Sequence, residues 1–463
     1  MATWDAIAAE NDLVVIGGGA GGLAAARAAA RRGARTLLVE QGRLGGDCTF
    51  TGCVPSKTLI ASAARGRSFV GAMADVRRAV ETIAESEDDA VLEREGVRVV
   101  HGRARFRDPH LLDVDGRRLR ARRVIIATGA GPSIPPIPGL DTVDYLTNET
   151  VFDLDRQPRS LAVLGGGPIG CELAQAFARL GTAVTVIEAL PRILVREEPE
   201  TSAVITEALR GDGVDVRVGR RVVRAAVTRP DGGVTLHLDD GRCIAADRLL
   251  VAVGRAATTT GLELDDAGIE TRDGFILTDD RLRTTAPGVW AVGDVTGHVQ
   301  LTHAADEMGR IAAANALGRR ARRFDATAIP SAVFTSPEVG RVGVTEAEVA
   351  DRGARVAYLP LTEVDRAIAT GETRGFVKLI AGPRRVTGNA GGGRLLGAST
   401  VAPTGGELVH EVALAMRARM FTGRLAQTVH AYPTWSVAVR QAAAQFFGDA
   451  GGGRRARTAT RPD

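Results

Sequence analysis

Apolar residues in this chain fall in short continuous runs, each followed by glycine. Leu13–Ile16 leads into Gly17-x-Gly19-x-x-Gly22. An alanine-rich stretch follows, and a second apolar run, Thr36–Val39, ends at Glu40. Such runs read as strands buried on both faces, and the alanine-rich stretch reads as a helix. The pattern recurs over 160–188, where Gly165, Gly167 and Gly170 repeat the spacing. The closing acid follows the last glycine by 18 positions in both copies, at Glu40 and Glu188. Strand, glycine turn, helix and strand is the context a dinucleotide-binding unit requires. The first glycine permits the tight turn, the second lets the backbone approach a pyrophosphate at the helix start, and the third allows close helix–strand packing. The acid accepts hydrogen bonds from an adenosine ribose. Two such units imply two dinucleotides, a pair used when a nicotinamide reduces a flavin.

The remaining pattern fills in around these units. Val124–Gly139 reads as a strand, a glycine turn and a proline-rich connector, and Leu249–Arg255 echoes it. Gly288–Gly297 is a strand with Asp294 at its carboxyl end, where parallel sheets place ligand groups. From about Ile329 the runs suggest antiparallel strands, then helices over Gly406–Met416 and Val437–Phe447, a third domain of α+β type. Residues 448–463 are rich in glycine and arginine without apolar period, and disorder is expected there.

Length and charge limit the function. A chain of 463 residues exceeds one hydrophobic core, so two to four domains are expected, on the order of one per 150 residues. With 59 basic and 55 acidic residues the net charge is +4, and the basic clusters Arg117–Arg123 and Arg319–Arg323 are short. Arginines spread over solvated helices account for them, and no nucleic-acid partner is expected. No apolar run reaches the ~18 residues of a membrane span, and the N-terminus has no basic-then-apolar leader pattern. No membrane partner and a cytoplasmic location follow as expectations.

Candidate chemistry centres on Gly45–Lys57, "GGDCTFTGCVPSK". In a reducing compartment a structural disulfide is disfavoured, which leaves metal binding or catalysis for Cys48 and Cys53. Zinc takes about four ligands. Cys171 and Cys243 lie far off with no CxxC or HxxxH, so no metal site is expected. Thiol exchange needs a thiolate, which a helix start near Pro55 and the charge of Lys57 would favour. All but two of the 59 basic residues are arginine, the exceptions being Lys57 and Lys378, so a compact ammonium at Lys57 stands out.

From Asp12 to Phe447 these motifs resemble the pyridine nucleotide–disulfide oxidoreductases, the flavoenzymes that include dihydrolipoamide dehydrogenase, glutathione reductase and mercuric reductase. The GGxCxxxGCxPxK match at Gly45–Lys57, the two fingerprints in order, "ATGA" and "GVWAVGD" carry the resemblance. It implies an α/β fold of two Rossmann-like dinucleotide-binding domains plus a C-terminal α+β dimerisation domain. The implied boundaries are an FAD domain over 1–147 and 255–327, an NAD(P)H domain over 148–254, and a dimerisation domain over 328–447. Gly17, Gly19, Gly22, Glu40, Thr128, Gly129, Gly293 and Asp294 would contact FAD. Gly165, Gly167, Gly170, Glu188 and Gly254 would contact NAD(P)H. By resemblance Cys53 lies beside the flavin, Cys48 exchanges with substrate, and Lys57 pairs with Glu172. NADH is favoured because Glu188 repels a 2′-phosphate, with Arg192 and Arg196 behind it able to soften the repulsion.

One segment departs from the dehydrogenase pattern. Where that branch has HxHPTxxE, this chain reads "HAYPTWSV", so Tyr432 replaces the proton-carrying histidine and Val437 the glutamate that orients it. Tyrosine, titrating near 10, is a poor substitute for a base poised near neutrality. His430 reads equally as a packing or a catalytic residue. Tyr432 and the stretch Asp365–Ile380 look like mercuric reductase, yet no cysteine follows Cys243. The resemblance implies a homodimer in which His430 and Tyr432 face the partner's thiols. The expected activity carries electrons from NAD(P)H through FAD and Cys48–Cys53 to a small disulfide, a thiol-reactive oxidant or Hg(II). The alternatives are a quinone or metal-ion reductase, a dihydrolipoamide dehydrogenase, or a vestigial nucleotide-binding flavoprotein.

Overall fold

The structure is a computed structural model that describes residues 4, 11–228, 233–384, 386, 388–447 and 455–460. The chain divides into two compact units. One comprises 1–135, 146–157 and 253–326, the other 136–145, 158–252 and 327–463.

The first unit is built on a five-stranded parallel sheet. Its strand order is Val289–Ala291, Val124–Ile126, Leu13–Ile16, Thr36–Glu40, Val97–His101. Leu13, Val14 and Val15 are fully buried, as a central strand covered on both faces requires. The helices Ala20–Ala30 and Thr302–Leu317 pack on the sheet. Alanine and glycine let them approach closely, since a Cβ on Gly309 would meet the carbonyl oxygen of Gly21 at 2.2 Å.

The second unit holds two sheets with helices. Four parallel strands run in the order Asp215–Val218, Ala183–Glu188, Ser160–Leu164, Arg248–Val251. A six-stranded antiparallel sheet runs Ser331–Val333, Glu338–Gly343, Arg394–Ala402, Phe376–Gly382, Arg355–Pro360, Arg457–Thr458. The helices Gly405–Arg417 and Val437–Ala444 cover it, close to the stretches expected. The inserted nucleotide fold and this C-terminal third pack as one body through polar contacts. Gln175 Nε2 donates to the Ser336 carbonyl at 3.0 Å, and Glu172 accepts from the Phe334 amide at 2.8 Å.

Two boundaries differ from the sequence reading. The passage from first to second fold is spread over 136–157. Leu140 and Val143 bury themselves in the core of the inserted fold, while Val151 and Phe152 are buried in a stretch that returns to the first unit. Residues 455–460 of the expected disordered tail are ordered: Arg457 and Thr458 pair with Val356 and Arg355 at the sheet edge. The reason is electrostatic. Arg457 Nη2 lies 2.8 Å from Glu346 Oε2, and the Thr460 amide donates to Glu346 Oε1 at 2.9 Å. The rest of that tail, 448–454 and 461–463, lies outside the described residues. No helix among the described residues is long and apolar enough to cross a membrane.

Candidate active site

The thiol segment is placed by two glycines in left-handed conformations, Gly45 at φ +114° and Gly46 at φ +63°. The Gly45 amide donates to the Gly18 carbonyl at 2.9 Å, and a Cβ on Gly46 would sit 2.7 Å from the Cα of Gly19. Only glycine allows this contact, which seats the segment against the first nucleotide turn. Cys48 lies on the short helix Gly46–Phe50, and Cys53 opens the helix Cys53–Ala64. The two sulfurs are not joined in a disulfide here, and Cys53 is exposed.

Their acidities are driven apart. A hydrogen bond from Cys48 is the chief cause that lowers Cys53 to about 6. Burial opposes the shift, while Thr302 and the charge of Lys57 support it. The Thr302 hydroxyl oxygen lies 3.3 Å from Cys53 Sγ. The same bond, together with burial and the Cys53 charge, pushes Cys48 well above the ordinary thiol range. The pair is therefore a thiolate at Cys53 and a thiol at Cys48.

A polar network braces this segment. Asp47 accepts from Thr51 Oγ1 and from Asn148 Nδ2, and Arg255 lies 2.5 Å from Asp47 and 3.2 Å from Asp294. Burial pushes the Asp294 carboxyl up, against the pull of Arg255. Thr128 donates to the Thr258 carbonyl at 2.8 Å, and Gly129 accepts from the Thr258 amide at 3.0 Å. Gly293 adopts φ +75° beside Ala305. Thr302 and Asn148 carry no motif that the sequence could have marked, and Arg255 closes the stretch Leu249–Arg255 without any local sign of its partners Asp47 and Asp294.

The two glycine turns share one geometry. Glu40 accepts from the Gly18 amide at 2.6 Å and the Gly42 amide at 2.7 Å. Glu188 accepts from Gly166 at 2.7 Å and Leu190 at 2.8 Å. Gly17 and Gly165 have φ +102° and +112°. A Cβ on Gly22 would meet the Gly17 carbonyl at 1.8 Å, and one on Gly170 the Gly165 carbonyl at 2.0 Å. By contrast, a Cβ on Gly19 would find its nearest neighbour at 3.9 Å and one on Gly167 nothing within 4 Å. Helices Ala20–Ala30 and Pro168–Arg179 begin there without a side-chain cap. Open space before uncapped amides fits a pyrophosphate at each turn.

The remaining expected residues are divided between the two units. Gly254, assigned by resemblance to the nicotinamide nucleotide, lies in the first unit, where its carbonyl accepts from Ser133 at 2.9 Å. Lys57 belongs to the first unit, and Glu172, 4% exposed, to the second. Arg192 donates to the Leu194 and Val195 carbonyls and to Ser202 Oγ. His430 bonds to Glu411 and Thr428, and Tyr432, 72% exposed, donates to Asp365 Oδ2 at 3.0 Å. Among the described residues no group of three or more His, Cys, Asp or Glu side chains could hold a metal ion.

Comparison with known proteins agrees with this geometry. The model described as pyridine nucleotide-disulphide oxidoreductase matches residues 11–309, and that of the family's dimerisation domain matches 329–443. The chain is 39% identical to a mercuric reductase of Streptomyces lividans, covering 95% of this chain and 96% of that one. It is 36% identical to a dihydrolipoyl dehydrogenase of Chlorobaculum tepidum, covering 95% and 97%. A solved structure of the HOCl-induced flavoprotein disulfide reductase RclA from Escherichia coli, as its Cu(II) complex, superposes with a TM-score of 0.86 at 31% identity, over 94% of this chain and 99% of the other. With both models matched in order along one chain, the protein belongs to the pyridine nucleotide-disulphide oxidoreductases, whose cofactors are FAD and NAD(P)H.

Proposed function

We propose that this protein carries two electrons from NADH to the Cys48–Cys53 pair and from there to a soft metal ion such as Hg(II) or another thiol-reactive acceptor. Gly17, Gly19, Gly22, Glu40, Thr128, Gly129, Gly293 and Asp294 would hold FAD, and Gly165, Gly167, Gly170 and Glu188 the nicotinamide nucleotide. FAD, when bound, supplies the passage of a hydride's two electrons from nicotinamide to sulfur. The chain's part begins with the disulfide form. A hydride equivalent is two electrons and one proton. Opening the S–S bond consumes all of it, leaving Cys53 as thiolate and Cys48 as thiol. The observation that carries this reading is the matching division of acidity, Cys53 at about 6 and Cys48 far above it.

Proton balance favours the acceptor class. Returning to the disulfide while reducing an external disulfide to two thiols consumes one further proton. Reducing Hg(II) to the metal takes the two electrons and releases the Cys48 proton instead. Tyr432, whose hydroxyl donates to Asp365, is a poor proton source for the first reaction and is not needed in the second. The mercuric reductase relatives support the same choice. A homodimer, with Tyr432 and His430 facing the partner's thiols, is part of the proposal and is supported by the dimerisation-domain match.

The test is turnover by purified FAD-loaded protein with NADH against Hg(II), oxidised lipoamide and oxidised glutathione. The expectation is NADH-dependent Hg(II) reduction exceeding both disulfide activities. Faster lipoamide turnover would overturn the acceptor assignment. A monomer with full activity in sedimentation would overturn the shared site.

A further inference from the structure

The segment 428–436 links the helices Thr422–Gln427 and Val437–Ala444 without regular structure of its own, yet two carboxylates from elsewhere in the chain hold it. On one side His430 Nε2 lies 2.8 Å from Glu411 Oε1, on the helix Gly405–Arg417, and Nδ1 lies 2.9 Å from the Thr428 carbonyl. On the other, Tyr432 donates to Asp365, which opens the helix Asp365–Thr370. The His430 side chain is 7% exposed and that of Glu411 28%.

Both contacts of the imidazole are oxygens. A carbonyl only accepts, so Nδ1 must carry a proton and donate it to Thr428. The second contact pairs Nε2 with a carboxylate oxygen. It is a hydrogen bond only if one proton lies between them, because otherwise two lone pairs would face each other. With that proton in place neither ring nitrogen offers a free lone pair. A general base must present one to the group it deprotonates.

We propose that Glu411 is a positioning residue. By holding one proton against His430 Nε2 it fixes the 428–434 segment, and with it Tyr432, rather than supporting His430 as a base. Glu411 takes over anchoring that the dehydrogenase pattern assigns to the position now occupied by Val437, but it grips the first residue of the motif instead of the third. The inference rests on the reading that this segment faces the thiols of a second copy. The bonding itself is local and is tested separately.

The experiment uses FAD-loaded protein carrying 15N-labelled histidine, with His430 assigned by comparison with His430→Gln. Glu411→Gln should shift the ring-nitrogen resonances of His430, because the Glu411 carboxylate lies 2.8 Å from Nε2. In stopped flow, Glu411→Gln should slow reoxidation of the NADH-reduced enzyme by Hg(II) roughly tenfold to a hundredfold, the scale of a small misplacement. Flavin reduction by NADH should be unchanged, and Glu411→Asp should recover part of the loss. His430 ring-nitrogen resonances that Glu411→Gln leaves unchanged would overturn the proposal whatever the activity. So would a Glu411→Gln variant that reoxidises at the wild-type rate while wild type reduces Hg(II). If wild type reduces no acceptor tried, the acceptor reading fails, while the ring-nitrogen result still decides the role of Glu411.

Discussion

Cys53 Sγ lies 3.3 Å from the hydroxyl oxygen of Thr302, a residue 249 positions away that opens the helix Thr302–Leu317. That hydroxyl is one of the groups lowering the Cys53 pKa to about 6. Thr302→Val should raise it by about one unit, since a hydrogen bond to a charged group is worth ~1.5–3 kcal/mol and one unit is ~1.4 kcal/mol. The long-wavelength absorbance of a Cys53 thiolate beside oxidised flavin, titrated against pH, measures it. An unchanged midpoint would remove Thr302 from the site.

The hydrogen bond from Cys48 is the largest cause of the same shift. Cys48→Ser keeps a donor and prevents disulfide formation, so the absorbance should appear at neutral pH without reductant. Cys48→Ala removes the donor and should move the midpoint upward. Cys53→Ser should show no such absorbance. Equal midpoints for Cys48→Ser and Cys48→Ala would mean that the charge of Lys57, not the neighbouring thiol, dominates.

Nucleotide choice follows from Glu188 and the commitment of Arg192. Three of the five N–H groups of Arg192 are given to Leu194, Val195 and Ser202, which ties its guanidinium to the chain behind Glu188. NADH is expected to exceed NADPH in kcat/KM, and Glu188→Ala should narrow the gap by weakening NADH use. An NADPH preference in the wild type would point to Arg196, which is exposed nearby.

Acid should release the C-terminal strand. Burial opposes ionisation of Glu346, but hydrogen bonds from Arg457, Lys378 and the Thr460 amide outweigh it and lower its pKa to about 2. A carboxylate with a depressed folded pKa stabilises fully above its unfolded value near 4.5, and the contribution is lost as pH falls from there toward 2. Protection of the Arg457 and Thr458 amides, taken relative to intrinsic exchange at each pH, should therefore fall below about pH 4.5. Glu346→Gln should give the same low protection at neutral pH. Protection that is flat with pH would mean that the strand pairing, not the ion pair, holds the tail.

What was legible in the sequence was what backbone geometry dictates. The turns at Gly17 and Gly165 need left-handed glycine, Gly22 and Gly170 leave no room for a Cβ, and Glu40 and Glu188 return to the same amides. Each constraint acts within some thirty residues and leaves a spacing. The residues that were missed act across the fold. Thr302 meets Cys53, Arg255 bridges Asp47 and Asp294, and Glu411 and Asp365 reach His430 and Tyr432. A single threonine or glutamate at a helix start or on a helix face carries no local pattern that marks its partner. The tail misled for a related reason. It has no apolar period, and its order comes from one arginine meeting a buried acid.

Lys378 is 1% exposed and is held by Glu198, Glu200 and Glu346 at 2.8–3.1 Å. The only other lysine is Lys57, half-buried one helical turn beyond Cys53. In most proteins amine-directed reagents scatter over a dozen surface sites. Here the folded chain offers them a single side-chain target besides its terminus, and that target adjoins the thiolate. Mild acylation followed by digestion therefore reads out, at one peptide, how far bound cofactor and acceptor shield the redox centre.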